Sequence, residues 1–155
     1  MKPTTQFLLE TLDVPYEQRP SHSQLFVDGK PTSLRLPGYS LLYQFDTQAG
    51  FLLVTDYDSP YEETPNFILL SHDLRVVSRR SLGPGLTFIP NASYLLKNIE
   101  WVDDWHFVAI LYGEDSNWLF TIRKWGIPYL RPRLTTALVH KRGSSDRPHW
   151  STDGR

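Results

Sequence analysis

From Tyr39 onward the chain is a succession of short apolar or β-branched runs, each closed by turn residues. Tyr39–Phe45, Phe51–Tyr57, Phe67–Ser71 and Arg75–Arg80 are the first four, with His72-Asp73 at the last tight turn. Tyr94–Val102, His106–Tyr112, Trp118–Lys124 and Tyr129–Val139 are the second four. Short runs of this composition between turn signals read as strands, and successive ones form antiparallel meanders. Pro128 and Pro132 interrupt the last run and mark it as an edge strand, because proline has no amide hydrogen to give a neighbour.

The two sets of four can be overlaid. Leu41-Leu42 matches Leu95-Leu96, Phe45 matches Ile99, and Asp46 matches Glu100. At the same offset Leu53 meets Phe107 and Val54 meets Val108, and after a longer loop Phe67-Ile68-Leu69 meets Trp118-Leu119-Phe120. Four-stranded units of this period are blade-like, yet a propeller needs more of them than the chain holds. The expected architecture is therefore mainly β: an antiparallel β-sandwich of two four-stranded meander units, with a partly closed barrel as the alternative. In His106–Tyr112 both alternating faces are apolar, which predicts cover by an N-terminal helix or loop, or else by a partner chain.

Ahead of the meanders, Thr4 or Thr5 is placed to cap a short helix running to about Leu12, ended by Pro15. Residues 15–23 read as loop. Gln24–Val27 and Thr32–Leu36 then flank Asp28-Gly29, a dipeptide suited to the positive φ angles of a hairpin turn, and Pro31 confines one of these strands to an edge. The organisation expected is one β domain over residues 1–142 and a polar C-terminal tail over 143–155.

Several function classes fall away. With no cysteine in its 155 residues, the chain has no disulfide framework, thiolate nucleophile or cysteine-ligated zinc. No apolar run approaches the roughly 20 residues of a membrane span, and the N-terminal stretch lacks a secretory core, so a cytoplasmic protein without membrane contact is expected. The net charge of −1 conceals polarity: residues 1–122 carry 8 Lys/Arg against 15 Asp/Glu, and residues 123–155 carry 8 against 2.

Catalytic constellations are sparse. There is no nucleophile elbow and no phosphate-cradling glycine loop; Gly83-Pro84-Gly85 reads as a turn between the units. The histidines at 22, 72, 106, 140 and 149 show no metal-ligand spacing. His72-Asp73 reads as a turn, and His106 after Asp103 and Asp104 reads as a hydrogen-bonded strand opening before it reads as a base with an orienting carboxylate. Glu62 and Glu63 point apart on an extended chain, and Asp56 and Asp58 lack the nucleotide-binding domain that D-x-D transferases use. The expectation is no enzyme, no cofactor and no metal. Arg123, Lys124, Trp125, Arg131 and Arg133 form a basic stretch, but at a pI near 6.5 nucleic acid is not the expected partner, and Trp125 and Tyr129 are expected to pack inward.

Acidic loops remain. Asp56, Tyr57, Asp58, Tyr61, Glu62 and Glu63 lie in or beside the loop after the second strand of the first unit, and Glu114, Asp115 and Trp118 take equivalent places in the second. Acid for steering and aromatics for anchoring make these the candidate partner-binding residues toward a basic protein. The segment LLVTDYDSPYEETPNFILLSHDLRVVSRRSLG, Leu52 to Gly83, resembles small bacterial all-β immunity proteins of polymorphic toxin systems. That resemblance implies a non-catalytic binding module of immunity or antitoxin type that neutralises a cognate bacterial toxin. The alternatives are a ligand-binding or enzymatic β barrel, with Trp101, Trp105 and His106 lining its pocket, and a structural module assembling through the doubly apolar strand.

Overall fold

The computed structural model describes residues 1–57, 64–83, 94–112, 116–127 and 132–140. Four strands precede the meanders: β1 (Lys2–Pro3), β2 (Phe7–Leu9), β3 (His22–Val27) and β4 (Lys30–Pro37). The first meander is β5 (Ser40–Thr47), β6 (Gly50–Asp56), β7 (Asn66–Leu70) and β8 (Val76–Ser81); the second is β9 (Leu96–Trp101), β10 (His106–Leu111), β11 (Ser116–Ile122) and β12 (Leu134–His140). They form antiparallel sheets in the orders β1-β5-β6-β7-β8, β12-β11-β10-β9 and β2-β3-β4. The chain is thus mainly β; β4, which contains Pro31 and Pro37, lies on an edge as prolines require, and β12, which starts after Pro132, lies on another. No helix among the described residues is long and apolar enough to cross a membrane.

The N-terminal helix does not form. Phe7, Leu8 and Leu9 pair instead with Val27, Phe26 and Leu25, and the only helical turn described is Tyr16–Gln18, directly after Pro15. Burial follows a period of two: Phe7 is fully buried while Leu8 is 59% exposed. A helix this short is marginal in water, whereas pairing satisfies the same amides and drives Phe7 into a core. Gln44 of β5 extends the pairing through its side chain, accepting from Phe7 N at 3.0 Å and donating to Phe7 O at 3.1 Å. At the hairpin between β3 and β4, Asp28 (φ 49°) and Gly29 (φ 75°) are both left-handed, as a two-residue turn of this hand requires.

Two apolar clusters explain the layering. The smaller joins Phe7, Leu25 and Leu36 of the N-terminal sheet to Leu53, Ile68 and Leu70. The larger joins the other face of the first meander (Phe45, Leu52, Val54, Phe67, Leu69) to Ile99, Phe107, Ala109, Trp118, Phe120 and Leu134 of the second. It is therefore β6 and β7, rather than β10, that the N-terminal segment covers, and both are buried on two faces. In β10, Phe107, Ala109 and Leu111 enter the larger cluster, while Val108 and Ile110 lie on the other face and join neither cluster.

The overlay of the two meanders holds by face for some strands only. Phe45 with Ile99, Phe67 with Trp118 and Leu69 with Phe120 all point into the larger cluster. Leu53 and Phe107 point into different ones. The first hairpin closes with two residues between Thr47 and Gly50, the second with five between Trp101 and Phe107. An odd change in loop length reverses every face in the strand that follows.

Candidate functional site

Where β6 ends, the backbone is crossed by the segment leaving β4. Gly38 (φ +98°) lies so close that a Cβ there would stand 2.7 Å from Asp56 O. Tyr39 N donates to that same oxygen at 2.7 Å. Two buried hydroxyls lock the crossing: Ser23 Oγ donates to Gly38 O at 2.7 Å, and Thr55 Oγ1 donates to Pro37 O at 2.6 Å.

The crossing sets Tyr39 between two other tyrosines. Its ring meets Tyr16 edge-to-face at 5.9 Å and 89°, and Tyr57 at 5.4 Å and 83°. The Arg19 guanidinium sits 5.4 Å from the Tyr39 ring centre, its Nε donating to Val14 O. Asp56 turns its carboxylate back to accept from Tyr57 N at 2.6 Å. Edge-to-face pairs contribute about 0.5–1.5 kcal/mol beyond area burial, and an exposed cation over a ring about 0.5–1 kcal/mol. The product is an aromatic rim of three tyrosines in edge-to-face contact, with a carboxylate beside it.

Of the residues singled out from sequence, Asp56 and Tyr57 lie in this rim. Asp58, Tyr61, Glu62, Glu63, Glu114 and Asp115 fall outside the described residues. Trp118 is no surface anchor: it is 5% exposed, paired between Ala109 and Leu138 and part of the larger core. Its indole N–H has no hydrogen-bond partner among the described residues. Tyr16, Arg19 and Tyr39 were not anticipated. They reach the rim through a long-range crossing whose one sequence trace is Gly38.

A second group of polar residues forms the turn between β9 and β10. The Asp103 carboxylate accepts from Trp105 N at 2.7 Å, from His106 N at 2.8 Å and from His106 Nδ1 at 2.8 Å. Burial pushes this carboxyl up, but the bonds from the Trp105 amide and from His106, with the attraction of the imidazole charge, outweigh it and leave it below the usual carboxylate range. Asp104 accepts from the Met1 ammonium at 3.0 Å and from Gln48 Nε2 at 2.9 Å.

This dyad caps a turn. Trp101 and Trp105 pack against the larger core, while His106, next to core-facing Phe107, points the other way, so the three do not converge on a pocket. His72 meets Asp46 at 3.3 Å across strands. Among the described residues no group of three or more His, Asp or Glu side chains is placed to hold a metal ion.

Beyond β11 the chain departs again from expectation. Trp125 does not pack inward but stands 80% exposed, past the last residue of the strand. Tyr129 lies outside the described residues. Comparison of the chain with family models, curated proteins and solved structures finds no match.

Proposed function

We propose that this chain is a non-catalytic protein-binding module that presents the tyrosine rim and Asp56 to a basic partner, as an immunity protein presents an acidic face to its toxin in the cytoplasm. The observation that carries the reading is the Tyr16–Tyr39–Tyr57 chain, held edge-to-face and flanked by Arg19 and Asp56. Tyrosine and arginine dominate the energetics of protein interfaces, and tyrosine supplies large contact area at little conformational cost. Net charge supports the sign of the partner, since residues 1–122 carry 8 Lys/Arg against 15 Asp/Glu, among them Asp58, Glu62 and Glu63 just beyond the rim in sequence.

The frame we infer for this surface is a sandwich of the two meander sheets. Supporting it are the cluster they share, the bond from Arg80 Nε to Leu134 O that joins β8 to β12, and the Phe45–Trp101 contact at 5.3 Å. The test is co-expression with the product of the neighbouring gene, followed by affinity capture. The proposal expects a stoichiometric complex and rescue of growth, both weakened by Asp58→Lys with Glu62→Lys while the melting temperature holds. Growth arrest with no complex, or equal loss of folding and binding, contradicts it.

A further inference from the structure

We propose that the turn following β11 is a binding site for single-stranded nucleic acid, with Trp125 as the stacking platform and Arg123 and Lys124 as phosphate contacts. Exposure is the first ground: Trp125 is 80% exposed and Ile127 57% exposed, and an indole of this exposure has no structural role in the core. Every base offers a π face, so stacking on an exposed aromatic is tolerant of sequence.

Charge is the second ground. In the turn between β9 and β10, whose Trp105 O accepts from Ile122 N at 2.7 Å, Asp103 is bonded to His106 and Asp104 to the Met1 ammonium. Arg133 is committed to backbone, its Nε on Arg123 O at 3.0 Å and its Nη2 on Ala49 O at 3.2 Å. Arg123 and Lys124, by contrast, make no ion pair among the described residues. Two uncompensated cations therefore stand directly before the exposed indole.

Register supplies the third. Ile122 is buried in the larger core, so Thr121 just before it turns to the outer face. There Thr121 pairs with His106 on one side and Thr135 on the other, and Asp103 fixes the imidazole through Nδ1. Hydroxyl and imidazole groups thus lie on the outer face at the end of β11 that leads into Arg123, Lys124 and Trp125, and both are donor types that phosphate oxygens accept from. An anionic membrane is the weaker fit, because two apolar side chains bury little area and these fixed polar groups would gain no partner.

The test is fluorescence anisotropy with a labelled oligothymidylate of about 12 nucleotides at about 50 and 200 mM salt. Two phosphate contacts on a single strand give a log–log salt slope of about −1.4, so binding weakens about sevenfold across that range. Trp125→Ala should weaken binding about tenfold with no change in melting temperature, and Arg123→Ala or Lys124→Ala should each lower the slope by about 0.7. No saturable binding at the lower salt, or binding that Trp125→Ala leaves unchanged, overturns the site. So does tighter binding to phosphatidylserine vesicles or polyglutamate than to the oligonucleotide. Because Trp125 lies outside the tyrosine rim, this result and that of the partner-binding test are independent.

Discussion

Replacing Phe7 by alanine separates the strand observed at the N-terminus from the helix its sequence suggests. Phe7 is fully buried, meets Phe51 edge-to-face at 5.0 Å, and packs in the smaller cluster with Leu25, Leu36, Leu53, Ile68 and Leu70. Truncating a buried phenylalanine costs about 3–5 kcal/mol, from lost transfer energy and the cavity left behind. Leu8, one residue on and 59% exposed, should cost less than about 0.5 kcal/mol when changed to alanine. A helix capped at Thr4 or Thr5 would instead put Phe7, Leu8 and Leu12 close to one face and make the two losses similar. Urea unfolding followed by tryptophan fluorescence reads both, provided the slope with denaturant is unchanged. A loss below about 1 kcal/mol for Phe7→Ala, or comparable losses at both positions, refutes the layer assignment.

Two further outcomes follow from local geometry. Gly50→Ala places a Cβ 1.9 Å from Leu70 O at a φ of +129°, so it should destabilise by more than about 2 kcal/mol, whereas Gly29→Ala, with open space but φ +75°, should cost about 1 kcal/mol in the same unfolding assay. Asp103 has a folded pKa below its ordinary 3.8, so its stabilising contribution is present above that value and is lost as pH falls through the lower folded one. The stability advantage of the wild type over Asp103→Asn should accordingly persist near neutrality and shrink as pH falls below 3.8, measured by acid titration of the unfolding free energy.

Much of the architecture was legible because its signals are local. Asp28-Gly29 carries the two positive φ angles of its hairpin, and the first seven runs after Tyr39 became strands within about two residues of their expected bounds, while the eighth begins only at Leu134. The three residues of β2 are too few to display a period, and the partner that decides their state begins at Leu25. Trp118 was open to a correct reading, since it alternates with Phe120 and Ile122 into the core. Trp125 was not, because alternation ends with the strand at Ile122. The tyrosine rim depends on a crossing between Gly38 and Asp56, and no local pattern brings Tyr16, Tyr39 and Tyr57 together.

The central claim is that this rim is an interface, and calorimetric titration of the neighbouring gene's product into wild type and Tyr57→Ala tests it most directly. A tyrosine at the heart of an interface contributes about 2 kcal/mol, so the variant should bind about 30-fold more weakly while losing only about 0.5–1.5 kcal/mol of folding stability with its Tyr39 contact. Equal affinity for the two proteins would contradict the account.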